Sequence, residues 1–134
     1  MPTLAATVLI SGEAEAPLLR LGAGISFWGG VDPVTGKVID ARHPQYGATL
    51  GGKIVALERS IGSSSGSAIL LELMRLRRGP AGIILAEADF IVTLGALVAR
   101  EMGYGHIPVV QLEMSALPRA SGTIGILRDG TVRF

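Results

Sequence analysis

Cysteine is absent from this chain of 134 residues. No disulfide can form, and no iron–sulfur cluster can be held here through thiolates. Aromatic residues are scarce, at 4%, so a core must be built from Leu, Ile, Val and Ala. Charged residues reach only 17%, and the net charge is +1. That balance gives no basis for attraction to nucleic acid or to an anionic membrane. Arg75, Arg77 and Arg78 cluster, and they read as a solvated helix end complementing the helix dipole. No apolar run reaches the roughly 20 residues needed to span a bilayer. The opening Met1-Pro-Thr-Leu-Ala-Ala6 lacks a basic leader, so a signal peptide is not expected, and a cytoplasmic location is the default expectation. There is no internal repeat and no low-complexity linker.

What is abundant is apolar. Hydrophobic residues make up 49%, and the mean hydropathy is +0.49. The length suits a single domain over residues 1–134 with a real core. The apolar excess is expected to reach the surface as well. Large exposed apolar patches mark interfaces, so a permanent partner or self-association is expected.

The organising stretch is Ile61-Gly-Ser-Ser-Ser-Gly-Ser67. Before it, Gly52 to Glu58 reads as a strand. After it, Ala68 to Arg78 reads as a helix, with Ile69, Leu70, Leu73, Met74 and Leu76 near helical spacing. Gly79-Pro80 is expected to stop that helix, with Gly79 able to take left-handed geometry. A strand, a small polar loop and a helix N-terminus make a place where an anion, or a hydroxyl that must lose its proton, is favoured. Gly62 and Gly66 let the backbone approach a ligand closely. The plain alternative is a Ser N-cap in a flexible loop.

In chain order, Thr3 to Ser11 reads as one apolar strand, and Leu18-Leu19 begins another extended run. In Ser26-Phe-Trp-Gly-Gly-Val-Asp-Pro-Val-Thr-Gly36 the only Trp stands against a Gly pair. Ser26, Phe27, Trp28, Gly29 and Gly30 are candidates to line a pocket beside an aromatic wall. The alternative is a hairpin loop with Trp28 packed beneath. Asp32-Pro33 and Thr35-Gly36 are turn signals, and Lys37 to Asp40 reads as a strand. His43 is a candidate base or phosphate acceptor, although a lone His in a turn is more often structural. Ala81 to Ala86 reads as a buried strand. Phe90 to Arg100 reads as a helix with Phe90, Leu94, Leu97 and Val98 on one face. Ile107 to Leu112 reads as a further buried strand. Gly122 to Leu127 and Thr131 to Phe134 form a hairpin around Asp129-Gly130. This order implies an α/β or α+β domain with helices packed on one side of sheet layers.

Gly62 to Gly66 also matches the letters of the Gly-x-Ser-x-Gly nucleophile elbow, with Ser64 at its centre and Asp89 and His106 following in hydrolase order. A loop this rich in Gly and Ser meets that pattern easily. The Lys-Ser/Thr ending of a P-loop is missing.

Ser26-Phe-Trp-Gly-Gly-Val-Asp-Pro-Val-Thr-Gly36, His43-Pro44, Gly51-Gly-Lys53, Gly62-Ser-Ser-Ser-Gly-Ser67 and Ala81-Gly-Ile-Ile-Leu85 together resemble the small subunit of the aconitase X family. The resemblance implies an α/β fold, a swivelling β/β/α domain like the mobile domain of aconitase. It implies a hydro-lyase completed, as a heterodimer, by a large catalytic subunit, and a small hydroxy acid as substrate. Two activities are known in the family: dehydration of cis-3-hydroxy-L-proline and of mevalonate 5-phosphate. The Phe-Trp-Gly-Gly, His-Pro and Ser-Ser-Ser motifs favour the first.

The family's serine base matches Ser63. Ser65 stands where the wider superfamily has an Arg, so a clamp on a substrate carboxylate must come from elsewhere. Ser64 and Ser65 are expected to donate hydrogen bonds to the substrate or to the Ser63 alkoxide. The chain has no clustered His and carboxylate ligands. An iron or iron–sulfur centre is therefore expected on the large subunit, where it can polarise the leaving hydroxyl as a Lewis acid. A competing class is a non-catalytic phosphocarrier or docking domain with His43 as carrier, which requires His43 to be exposed.

Overall fold

The computed structural model describes residues 2–62, 64–119 and 122–134. In chain order these residues form β1 (Thr3–Ala5), β2 (Thr7–Ile10), β3 (Ala14–Arg20), α1 (Phe27–Gly30), β4 (Ile54–Leu57), α2 (Gly66–Arg75), β5 (Gly82–Leu85), α3 (Phe90–Glu101), β6 (Val109–Gln111), a 3-10 turn (Met114–Ala116), β7 (Thr123–Ile126) and β8 (Thr131–Arg133). Their order in the sheet is β1-β8-β7-β3-β4-β5-β6-β2. Strands β3, β4, β5 and β6 run parallel. The β7–β8 hairpin is antiparallel to β3 at one side, and β2 is antiparallel to β6 at the other.

Strand β3 serves two partners. Its first half, Ala14 to Pro17, pairs with β7, and its second half, Leu18 to Arg20, pairs with β4. The run Thr3 to Ser11 is not one strand. It breaks at Ala6, whose N–H donates to Gly130 C=O at 3.0 Å, and the two pieces join opposite ends of the sheet. Because one residue connects those ends, the sheet has to curl round on itself.

The curl explains two cores. In β4, Val55 and Leu57 pack toward the helices, whereas Ile54 and Ala56 face the inside of the curl; Ile83 and Ile84 of β5 divide in the same way. The inner core adds Leu18, Val110, Ile124, Ile126 and Val132. This is period-two alternation read on a sheet covered on both faces.

The strand expected over Lys37 to Asp40 does not form. Only the isolated bridges Val31–Val38 and Lys37–Thr49 occur. Gly36 and Gly47 take positive φ, at 75° and 90°, and turn the chain before a ladder can extend.

Helix α2 closes in a way the sequence reading misplaced. Arg78 N–H donates to Leu73 C=O at 2.8 Å and Arg77 N–H to Met74 C=O at 3.1 Å, the bond pair of a Schellman motif. The left-handed residue is Arg77, with φ 59°, not Gly79. Gly79 is needed for closeness: a Cβ there would lie 2.5 Å from Met74 Sδ.

On α3 the face that turns inward is not the one that carries the large apolar residues. Val92, Gly95, Ala96 and Ala99 are buried, while Phe90 is 91% exposed and Leu94 and Leu97 also face out. Small residues lie inward because α2 and α3 pack closely. A Cβ on Gly95 would lie 3.0 Å from Ser67 O and 3.2 Å from Leu70 Cβ.

Candidate active site

Helices α2 and α3 each follow a parallel strand, so both begin at the carboxyl edge of the sheet, where open α/β sheets gather their ligand sites. Three loops meet there: the one after β3, the serine loop after β4, and the short one after β5. Ile25 bridges Ser60, and Ile61 N–H donates to Ile25 C=O at 2.9 Å. A Cβ on Gly62 would lie 3.4 Å from Ser26 Oγ, and one on Gly66 would lie 3.4 Å from Phe27 Cβ. The structure thus brings the Ser26 to Gly30 turn against Gly62 and Gly66 of the serine loop.

Within that turn the two aromatics part company. Phe27 is only 2% exposed and belongs to the helix-side core. It is an anchor under the turn rather than a pocket wall. Trp28 is 62% exposed. The hairpin alternative, with Trp28 packed beneath, does not hold. The α1 turn is broken at Trp28 and Gly29, and Gly29 has φ 85° with open space where a Cβ would be. Gly30 is buried against Ile25. The Ser26 hydroxyl donates to Trp28 C=O at 2.8 Å, which leaves its lone pairs to accept. Beside Trp28 lies an open cleft of about 340 Å³, lined also by Gly29, Val31, Pro33, Ile39 and Ile69. Sequence reasoning missed its far wall, because Ile39 and Ile69 come from separate segments.

Ser63 lies outside the described residues. Ser64 and Ser65 are exposed, and their carbonyls accept from Ser67 N–H and Ala68 N–H, each at 3.1 Å. The first turn of α2 carries no acidic residue, so the positive end of its dipole is not neutralised from within. The fourth serine, Ser67, turns away and donates to Ile91 C=O at 2.6 Å.

Two alternatives end here. Asp89 caps α3, accepting from Ile91 N–H and Val92 N–H through Oδ1 at 2.8 and 3.3 Å, and from Ser60 N–H through Oδ2 at 2.5 Å. His106 bonds Ser11 C=O. Asp89 and His106 are therefore committed to backbone groups, and the hydrolase order of Ser64, Asp89 and His106 has no matching geometry. His43 is 6% exposed. Its Nδ1 accepts from Gln45 N–H at 3.0 Å, so Nε2 carries the proton and donates to Ala23 C=O at 3.1 Å. A buried His with both nitrogens engaged is not a phosphocarrier.

Among the described residues no three His, Cys, Asp or Glu side chains come together as a metal site. Among them, too, no helix is long and apolar enough to cross a membrane.

Residues 3–129 match the model of the aconitase X swivel domain. The chain belongs to the aconitase X family. It is 42% identical to cis-3-hydroxy-L-proline dehydratase of Pseudomonas aeruginosa, over 90% of this chain and 22% of that protein. The chain therefore spans about a fifth of that relative's length. It is 34% identical to the phosphomevalonate dehydratase small subunit of Thermococcus kodakarensis, over 91% of this chain and 94% of that subunit. The crystal structure of the Thermococcus kodakaraensis aconitase X holo-form matches with a TM-score of 0.89 at 32% identity, covering 99% of this chain and 98% of that one. The fold described above, a curled mixed sheet with helices on one side, is the aconitase X swivel-domain fold.

Proposed function

We propose that this aconitase X swivel domain is the small subunit of a heteromeric dehydratase in the cytoplasm. Its large subunit carries the rest of the active site, including the iron or iron–sulfur centre. Ser63 is the general base and cis-3-hydroxy-L-proline the substrate. The observation that carries this reading is the meeting of two loops at the sheet's carboxyl edge: Gly62 against Ser26, and Gly66 against Phe27. The exposed Phe90, Leu94 and Leu97 of α3, with exposed Trp28, Ile39 and Ile61, are the apolar surface a partner would cover.

Dehydration of a 3-hydroxy acid takes the proton from the carbon beside the carboxylate. The hydroxyl leaves the next carbon, and a double bond forms between the two. A serine is a poor base unless its alkoxide is stabilised. The N-terminus of α2, unneutralised by any acidic residue in its first turn, contributes to that stabilisation. Ser64 and Ser65, exposed at the start of α2, would donate to the substrate carboxylate or to the alkoxide. Trp28 and its cleft would hold the apolar part of the substrate.

Two features weigh on the substrate. The higher identity to the Pseudomonas dehydratase favours the hydroxyproline. The match along nearly the whole Thermococcus small subunit favours mevalonate 5-phosphate as a second reading. Steady-state kinetics of the chain reconstituted with its large subunit, on both compounds, decides between them. Ser63→Ala should lower kcat about a hundredfold or more with KM little changed. If Ser63→Ala turns over near wild type while Ser64→Ala or Ser65→Ala does not, the base sits on the other serine. If all three keep their activity, the loop is not catalytic.

A further inference from the structure

The serine loop is tied at both ends to one place, the first turn of α3. At its entrance Ser60 is 7% exposed, and its N–H donates to Asp89 Oδ2 at 2.5 Å. At its exit the Ser67 hydroxyl donates to Ile91 C=O at 2.6 Å. Between these ties, a Cβ on Gly66 would lie 3.1 Å from Ile91 Cγ2, so the loop's last residue before Ser67 rests directly on that turn. The Ser60 hydroxyl is buried with no partner among the described residues, and the bond that ties Ser60 to α3 is made by its backbone.

An N-cap needs one side-chain oxygen. Oδ1 of Asp89 fills that role with Ile91 and Val92. Oδ2 is surplus to the helix and serves the loop instead. We propose that Asp89 is a positioning residue for the dehydration: through Oδ2 it fixes the entrance of the serine loop relative to the N-terminus of α2. This rests on the reading of the loop as catalytic. A base must sit within hydrogen-bond reach of the proton it takes, and a displacement of about 1 Å can cost about a hundredfold in rate.

Asp89→Asn separates this role from capping. Asn caps a helix about as well as Asp, but one end of its amide is a donor, so the cap or the Ser60 bond must be lost. In the reconstituted complex Asp89→Asn should lower kcat about ten- to a hundredfold and leave KM within about twofold. The melting temperature of the free chain should stay close to wild type. Amide exchange at Ser60 and Ile61 should quicken while that of α3 stays slow. Asp89→Ala should lose turnover and melting temperature together. Turnover of Asp89→Asn near wild type, beside an inactive Ser63→Ala, overturns the proposal and leaves the catalytic loop standing. An active Ser63→Ala removes the loop reading and the proposal with it. Should Asp89→Asn fail to fold, Ser67→Ala, which cuts the tie at the other end, is read by the same kinetics.

Discussion

Phe27 and Trp28 are adjacent aromatics with opposite fates, and mutating each in turn separates stability from function. A buried Phe removes about 150–250 Å² from water, worth roughly 4–6 kcal/mol at about 25 cal/mol per Å². The unfolded chain already hides part of that area, which lowers the figure. Phe-to-Ala substitutions in well-packed cores cost about 3–5 kcal/mol, so the two routes agree. Phe27 is 2% exposed and its Cβ lies under the start of α2, so Phe27→Ala opens a cavity that neighbouring backbone cannot readily fill. Small domains have about 5–15 kcal/mol in total, so this loss is a large share. For 134 residues, each kcal/mol moves the melting temperature by about 3–5 °C, giving a fall of about 10–20 °C. Trp28, at 62% exposure, should change stability by less than about 0.5 kcal/mol when replaced by Ala. Its loss should instead raise KM or weaken the complex. Urea and thermal unfolding of the free chain, followed by kinetics of the complex, read both arms. A Phe27→Ala protein melting within about 3 °C of wild type, the shift for about 1 kcal/mol, would refute the anchor role. A Trp28→Ala protein losing as much stability as Phe27→Ala would refute the division between them.

Arg77 holds left-handed geometry without being glycine, which costs an L-residue about 1–2 kcal/mol. Arg77→Gly should stabilise the chain by about 0.5–1 kcal/mol after glycine's own entropy loss, seen as a higher melting temperature; a lower one would refute the strain. Asp32 and Asp129 both titrate below the usual carboxylate value, chiefly because the N–H of Val34 and that of Thr131 bond to them. A depressed folded-state pKa adds stability above the ordinary carboxylate range, which is lost as pH falls through the folded value. Asp32→Ala and Asp129→Ala should therefore melt below wild type at neutral pH, and the gap should narrow as the pH falls below the ordinary Asp value and through the depressed one. A gap that does not narrow on acidification would show that the ionised carboxylates are not the source.

Much of the fold was legible where local signals agree with the final packing. The apolar block of β5, the helix after the serine loop and the Asp129-Gly130 hairpin stand close to where the sequence puts them. The misses share a physical cause. Helical spacing in α3 puts Phe90, Leu94, Leu97 and Val98 on one face, but spacing alone does not say which face the fold buries. Close packing of α2 on α3 instead selects Gly95, Ala96 and Ala99 for the inside and leaves Phe90 outside. The break at Ala6 is invisible locally, because its two flanking strands pair with segments about a hundred residues or more away. At the site, the sequence marks Ser26 to Gly30 as a possible pocket lining, but it does not reveal that Phe27 is buried. In the sequence Asp89 stands out as the acid of the hydrolase order. Its position before an apolar run signalled a cap, but nothing in the sequence signalled its reach to Ser60.

The single-residue joint at Ala6 has a kinetic consequence. Thr3 pairs with Arg133, and Thr7 pairs with Gln111, so the first ten residues can settle only after the last strands exist. The segment β4–α2–β5–α3 is the opposite case, since its contacts lie close in sequence. We expect it to form the folding nucleus, and the ring of strands to close around it late. Such long-range pairing slows folding into the range of about milliseconds to seconds. Weakening β1 or β8 should then speed unfolding while leaving the folding rate nearly unchanged, whereas a cavity at Ile84 should slow folding itself.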